Sequence, residues 1–197
     1  MSRVIDLLED EIGAPYPYAK LDVVVVPQLA TFGAMENAGM ITARARRVLA
    51  KPGEDTPLQR SVAVNLMAHE AAHQWFGDLV TLRFWDDVWL NEGFAVWMDA
   101  KITNRFDPTW GADLDELDWI ADTKAEDGLL SARKIRQEIG SYDDIKNAFD
   151  GITYEKGAAV LDMFEGWLGA PAFQKGVRLY LERHGWKNRS EERRVGK

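Results

Sequence analysis

The sequence predicts an α+β fold in which a strand-rich N-terminal lobe is followed by a mainly helical lobe. The run "KLDVVVVP", which ends at Pro27, is typical of a buried strand, whereas apolar residues after position 56 recur at helical spacings. With 197 residues, 46% of them hydrophobic, the chain can bury one sizeable core around a cleft. We therefore expect one domain over residues 1–186, with its lobes at about 1–55 and 56–186.

Glycine-rich segments and a capping pattern mark the elements that follow the first strand. Residues 29–43, "LATFGAMENAGMITA", contain three glycines and are expected to bend or present backbone between strands. The segment "TPLQ", residues 56–59, combines an N-cap Thr, a first-turn Pro and a Gln that completes a capping box. It predicts a helix from about Pro57 to Phe76 that stops at Gly77.

The remainder is predicted to contain one short strand, "LVTLRFW", and four helices before a tail. The helices are expected at residues 86–106, 112–127, 153–168 and 172–184. Residues 187–197, "KNRSEERRVGK", change abruptly to a basic composition without apolar periodicity. We expect this tail to be disordered or foreign to the domain.

Composition excludes several classes of function. The chain has no cysteine, which excludes disulfides, thiolate metal sites and cysteine nucleophiles, so any metal needs nitrogen and oxygen ligands. A net charge of −8 argues against a nucleic-acid surface. No apolar run approaches the roughly 20 residues of a membrane span, and "MSRVIDLLEDEIG" lacks the order of a signal peptide. These features predict a cytoplasmic chain with neither a nucleic-acid nor a membrane partner.

Two of the three histidines lie in "HEAAH", residues 69–73. On a helix, His69, Glu70 and His73 fall within an arc of about 100° and therefore share a face. Val62 and Leu66 precede them on that face, so the surroundings should be partly dry. A single histidine in such a place is more often a hydrogen-bonded core residue, but the full His-Glu-x-x-His pattern favours a zinc site.

A catalytic zinc ion takes three protein ligands and keeps one position for water. Glu92 is the candidate for the third ligand, because it follows His73 by 19 positions and lies near the start of the second helix. The alternative is an ordinary first-turn glutamate favoured by the helix dipole. Each histidine should also have an acceptor for its outer nitrogen, although the sequence does not identify it.

Three motifs together resemble a known family. "HEAAH", followed after eighteen residues by the glutamate of "WLNEGFA", resembles the zinc site of the aminopeptidase N family of thermolysin-like zinc peptidases, the gluzincins. "FGAMENAGMIT" is similar to the segment with that family's Gly-x-Met-Glu-Asn motif, and "FDGITYEKGAAVLDMF" to the segment with its catalytic tyrosine. The motifs span residues 33–164, and looser similarity covers nearly all of the chain.

The resemblance implies a thermolysin-like zincin catalytic domain with one Zn²⁺ per chain. It assigns the metal to His69, His73 and Glu92, the general-base role to Glu70 and stabilisation of the oxyanion to Tyr154. The implied reaction is the hydrolysis of the N-terminal peptide bond of peptides.

The resemblance also implies how substrates bind. Glu36 would pair with the free α-ammonium group of a peptide, and the backbone of Gly33 and Ala34 would pair with the substrate as a strand does. Met35 and Asn37 would shape the pocket. The expected partners are therefore peptides with a free N-terminal amine.

Other functions remain open at this point. The same scaffold could serve a zinc endopeptidase or an epoxide-opening hydrolase, and a domain of this fold could be a non-catalytic scaffold. Family members are much longer, with a β-rich domain before the catalytic domain and a helical domain after it. We expect both flanking domains to be absent from this chain.

Overall fold

A computed structural model describes residues 1–29, 32–53 and 55–189. Its mixed content of helices and strands agrees with the predicted α+β class. The helices are α1 Ser2–Ile12, α2 Ala45–Val48, α3 Pro57–Ala72, α4 Trp89–Phe106, α5 Ala112–Asp127, α6 Tyr142–Asn147, α7 Glu155–Leu168 and α8 Ala170–His184. The strands are β1 Asp22–Val26, β2 Ala34–Met35, β3 Met40–Arg44, β4 Val80–Leu82 and β5 Lys187–Arg189.

The first three strands form one sheet in the order β1-β3-β2. β1 is parallel to β3, and β2 is antiparallel to it, so β1 and β2 are edge strands. The prediction of a buried first strand is wrong, because Val24 and Val25 are 41% and 38% exposed. Val23 packs against the core, so only part of the valine run contributes to the core.

The chain begins with a helix, so the predicted order of strands first and helices later is wrong at the N-terminus. Val4, Leu8 and Ile12 recur every four residues on α1, and all three are buried. This face packs against α3 and α4. Gly13, in the left-handed conformation with φ of 72°, ends the helix.

α3 begins at the predicted capping box and ends earlier than predicted. The amide of Gln59 donates to Thr56 Oγ1 at 3.2 Å, and the amide of Thr56 donates to Gln59 Oε1 at 2.9 Å. The last helical residue is Ala72, four positions before the predicted Phe76. The carbonyls of residues 73–75 accept amides that come after the turn, and this ends the helix.

The other predicted elements are found close to their predicted bounds. α5 matches its prediction, α4, α7 and α8 begin within three residues of theirs, and β4 lies in "LVTLRFW". The disorder expected for the tail is not found over Lys187–Arg189, which form β5 and pair in parallel with β4. Residues 190–197 lie outside the described residues. Over the residues that the structure describes, no helix combines the length and the apolar character needed to cross a membrane.

α4 lies between α3 and α7, and two glycines set its distance to α7. A Cβ on Gly93 would lie 2.9 Å from the carbonyl carbon of Gly157, and one on Gly157 would lie 3.1 Å from Gly93 Cα. The two backbones are therefore in contact at the crossing. This contact places Glu92 of α4 beside the start of α7, where Tyr154 lies.

We expect Gly93→Ala to lower the free energy of unfolding by about 1–3 kcal/mol, because the added methyl group has no space between the two backbones. Urea denaturation measures the effect. The matched control is Gly166→Ala in the exposed part of α7, where a Cβ would meet nothing within 4 Å. That change should raise the stability by about 0.5–1 kcal/mol. Equal stability of Gly93→Ala and wild type would contradict the close crossing.

Candidate functional site

His69, His73 and Glu92 converge where α3 ends and α4 begins. The two histidines lie one helical turn apart, with their Nε2 atoms 3.2 Å from each other. Glu92 Oε2 lies 3.4 Å from Nε2 of His69 and 3.5 Å from Nε2 of His73. All three candidate ligand atoms fall within 4.8 Å of one another. The structure therefore brings together the three side chains that the sequence predicts as metal ligands.

The outer nitrogens of both histidines have acceptors. His69 Nδ1 lies 2.9 Å from Oδ2 of Asp99, and His73 Nδ1 lies 3.1 Å from the carbonyl oxygen of Phe76. Sequence reasoning expected such acceptors but did not identify Asp99. The available signal was its position seven residues after Glu92, which is two turns along the same face of α4.

These contacts determine which nitrogens can bind a metal. Because a carbonyl oxygen and a carboxylate only accept, the Nδ1 atoms of His69 and His73 carry the protons. In the neutral imidazoles the two Nε2 lone pairs then point at each other and at the carboxylate of Glu92, and this arrangement of three electron donors needs a cation at its centre, either a proton on Nε2 or a metal ion. Two imidazoles and one carboxylate are also a donor set that suits catalytic zinc, so these residues fit the metal.

The pKa values of these three groups indicate the same preference for positive charge. Burial lowers the pKa of His69, but hydrogen bonds to Asp99 and Glu92 outweigh it and raise the pKa well above its usual value. Burial likewise opposes the effect of Glu92 on His73, whose pKa is raised to about 9. Burial raises the pKa of Glu92, but the charge of His73 and hydrogen bonds to both histidines lower it overall. The centre of the cluster therefore favours a cation.

Glu70 lies beside the cluster without belonging to it. It is 5% exposed, and its Oε2 atom is buried with no hydrogen-bond partner among the described residues. Burial raises the pKa of its carboxyl group to about 7, although His69 and His73 oppose the shift. A carboxyl group in this range can both accept and release a proton near neutral pH.

Tyr154 approaches the cluster from the start of α7. Its ring is stacked on that of His69, with 6.1 Å between the centroids. Burial, reinforced by the charge of Glu92, raises the pKa of its phenol, so the hydroxyl stays protonated and can donate a hydrogen bond. The preceding turn is fixed, because Asp150 Oδ1 accepts the amides of Ile152 and Thr153 at 3.1 and 3.2 Å.

One cavity of about 1070 Å³ joins these groups to most of the predicted substrate residues. Its lining includes Gly33, Ala34, Met35, Glu36, His69, Glu70, His73, Glu92 and Tyr154. Asn37 is exposed and is not part of this lining. Its side chain instead donates to Thr42 Oγ1 at 3.2 Å, and this bond braces the turn between β2 and β3.

We expect Asp99→Asn to weaken zinc binding by about 10- to 100-fold. Asp99 accepts from His69 with one oxygen and from Asn65 Nδ2, at 2.8 Å, with the other, whereas an asparagine has only one oxygen. Competition with a chromogenic chelator measures the affinity. The control is Asp162→Asn, which changes an exposed carboxylate on α7. Unchanged affinity in Asp99→Asn would contradict the role of this hydrogen bond.

Comparison with known proteins identifies the relatives of this chain. Residues 1–194 match the peptidase family M1 domain. The chain is 36% identical to aminopeptidase M1 of Arabidopsis thaliana over 191 residues, which are 97% of this chain and 22% of the relative. It is 38% identical to aminopeptidase 2 of Candida albicans over 188 residues, 95% of this chain and 20% of the relative.

A mammalian relative is similar to the same degree. The chain is 39% identical to glutamyl aminopeptidase of Bos taurus over 186 residues, which are 94% of this chain and 19% of that protein. The chain thus spans about a fifth of the length of the curated relatives that it matches.

Proposed function

Because the chain belongs to the peptidase M1 family, we propose that it is a zinc-dependent aminopeptidase domain with a thermolysin-like zincin fold. Its proposed substrates are peptides with a free N-terminal amine. The observation that carries the proposal is the convergence on one cavity of a three-ligand cluster, Glu36 and the buried Glu70, one oxygen of which has no partner among the described residues. A single reaction, the hydrolysis of a peptide bond, would use all of these groups together.

His69, His73 and Glu92 are the proposed ligands of zinc. When bound, zinc would polarise the scissile carbonyl and lower the pKa of the attacking water. Asp99 and the Phe76 carbonyl hold the two imidazoles with Nε2 facing the cluster. The two ligand nitrogens are thus oriented for the metal before the substrate binds.

Glu70 is the proposed general base and acid. Its side chain lines the cavity, so its carboxyl group can accept a proton from the attacking water and then donate it to the leaving amine. Its buried Oε2 atom has no hydrogen-bond partner among the described residues, and such a buried polar atom is costly for stability. This cost has a functional explanation if the group must stay available for proton transfer.

Tyr154 is the proposed donor to the oxyanion that forms on the scissile carbonyl. Its hydroxyl remains protonated because burial and the charge of Glu92 raise its pKa. The ring stacks on His69, which places the phenol in the same cavity as the metal ligands.

Glu36 is the proposed partner of the substrate's α-ammonium group. Its carboxylate lines the cavity, and β2 immediately before it lies at the edge of the sheet. An edge strand can pair with an extended peptide through its backbone, and this is the proposed role of Ala34. The carbonyl of Gly33, the other residue expected in this role, already accepts the amide of Arg44 at 2.9 Å. Met35 would contribute to the pocket that receives the first side chain.

We expect the zinc-loaded chain to cleave an unblocked tripeptide after its first residue and to leave the N-acetylated form of the same peptide intact. Acetylation removes the positive charge with which Glu36 would pair. Mass spectrometry of the products measures both rates. Equal cleavage of the two peptides would contradict the aminopeptidase proposal and would indicate an endopeptidase.

A further inference from the structure

Gln74 is a buried polar side chain that the proposed mechanism does not use. It directly follows His73 and has no exposed surface. Its Nε2 atom donates to the carbonyl oxygen of Glu36 at 2.9 Å, and its Oε1 atom accepts the amide of Gly39 at 2.8 Å. The hydroxyl of Tyr16 lies 3.4 Å from the same Oε1 atom.

The two shorter bonds hold both ends of one loop. Residues 36–39 connect β2 to β3, and Gln74 binds the carbonyl at the first position and the amide at the last. Gly39 has φ of 70°, a conformation that glycine adopts without strain. Fixing the peptide group of Glu36 restricts the direction in which its side chain leaves the backbone.

An amide is the chemical group that this task needs. A glutamine can donate to a carbonyl and accept from an N–H at the same time, whereas an aliphatic residue can do neither and a carboxylate cannot donate. Ordering the long side chain of a buried glutamine costs conformational entropy. An apolar residue would fill the same space without needing partners, so the bonds to the loop are the specific contribution of Gln74.

Gln74 connects two of the proposed functional groups. It follows a proposed metal ligand on the chain and holds the loop that carries the proposed amine-binding carboxylate. We propose that Gln74 is a positioning residue for exopeptidase specificity, which sets where Glu36 lies relative to the zinc ligands. This inference rests on the proposed function. It adds to that function the residue that sets the distance between Glu36 and the zinc ligands.

A double-mutant cycle with Glu36 tests this role. We expect Gln74→Leu to lower kcat/KM for an unblocked alanine-rich tripeptide on the order of 10- to 100-fold. The loss should appear mainly in KM, because the ammonium group is held before the reaction as well as during it. In the Glu36→Ala background, Gln74→Leu should change kcat/KM by no more than about twofold, since the group it positions is gone.

Two further variants separate this role from simple packing. Gln74→Met keeps the approximate size but loses both the donor to the Glu36 carbonyl and the acceptor of the Gly39 amide, so it should raise KM as Gln74→Leu does. Gln174→Leu is the matched control, because Gln174 donates to the carbonyls of Asp10 and Glu11 at 2.9 Å and joins α8 to α1. It should leave kcat/KM unchanged. Circular dichroism and zinc content confirm the folding of each variant.

The outcomes separate the inference from the proposed function. Losses that multiply in the double variant, or a fully active Gln74→Met, would overturn the positioning role while leaving the aminopeptidase proposal in place. A wild-type chain that binds zinc but does not cleave the unblocked tripeptide would overturn the proposed function, and the role of Gln74 would fall with it.

Discussion

Glu70→Gln is expected to slow peptide hydrolysis severely while the chain still binds added zinc. Glutamine has the size of glutamate but cannot take up the proton of the attacking water. The expected fall in kcat is roughly 10²- to 10⁴-fold, the range of a positioned general base. Steady-state kinetics on an unblocked tripeptide, with zinc content measured on the same sample, provide the test.

Zinc should remain because Glu70 does not belong to the ligand cluster. The matched control is Glu182→Gln on α8, which changes an exposed carboxylate that pairs with Arg178. This variant should keep wild-type kcat. A Glu70→Gln variant with substantial turnover would remove Glu70 from the proposed mechanism, whereas loss of zinc in that variant would indicate that Glu70 supports the metal site.

Tyr154→Phe is expected to lower kcat by about 10²- to 10³-fold, the effect of removing one oxyanion donor. KM should change little, since the hydrogen bond strengthens only as charge develops on the carbonyl oxygen. Phenylalanine keeps the ring that stacks on His69, so the fold and the metal site should persist. Kinetics over a range of substrate concentrations separate the two parameters.

Tyr180→Phe is the control for the loss of a phenolic hydroxyl. Tyr180 is a partly buried residue of α8 that packs against the core and His184 and does not line the cavity. This variant should match wild type in kcat and KM. If Tyr154→Phe also matched wild type, the oxyanion would need another donor.

The metal cluster could be predicted because its geometry is largely local. Helical periodicity alone places His69 and His73 on one face, and the structure confirms that they are neighbours. Glu92 is more distant in the chain. Without the family resemblance, the sequence favoured a metal ligand no more than an ordinary first-turn glutamate at this position. The resemblance to a family identified it, and the crossing of α3 and α4 places it at the cluster.

The supporting residues could not be predicted because their partners are remote in the chain. Asp99 looks like any acidic residue of a helix until α4 packs against α3 and brings it to His69. Gln74 binds a loop 35 and 38 positions earlier in the chain, a relation with no local signal. Asn37 was expected at the pocket, but the tight turn before Met40 directs its side chain to Thr42.

The first helix illustrates the limit of reading one pattern in isolation. Val4, Leu8 and Ile12 recur every four residues, a helical spacing that the prediction of a strand-rich N-terminal lobe does not include. Burial of this face depends on α3 and α4, which lie far along the chain. The same dependence explains why β1 is half exposed despite its four consecutive valines.

The proposed catalytic roles all depend on the binding of one zinc ion by His69, His73 and Glu92. The direct test is the zinc content of the folded chain after loading with zinc and exhaustive dialysis, measured by atomic emission and compared with the His69→Ala variant. We predict close to one zinc per wild-type chain and far less in the variant. A folded wild-type chain that retains no zinc, or a variant that retains as much as wild type, would contradict this account.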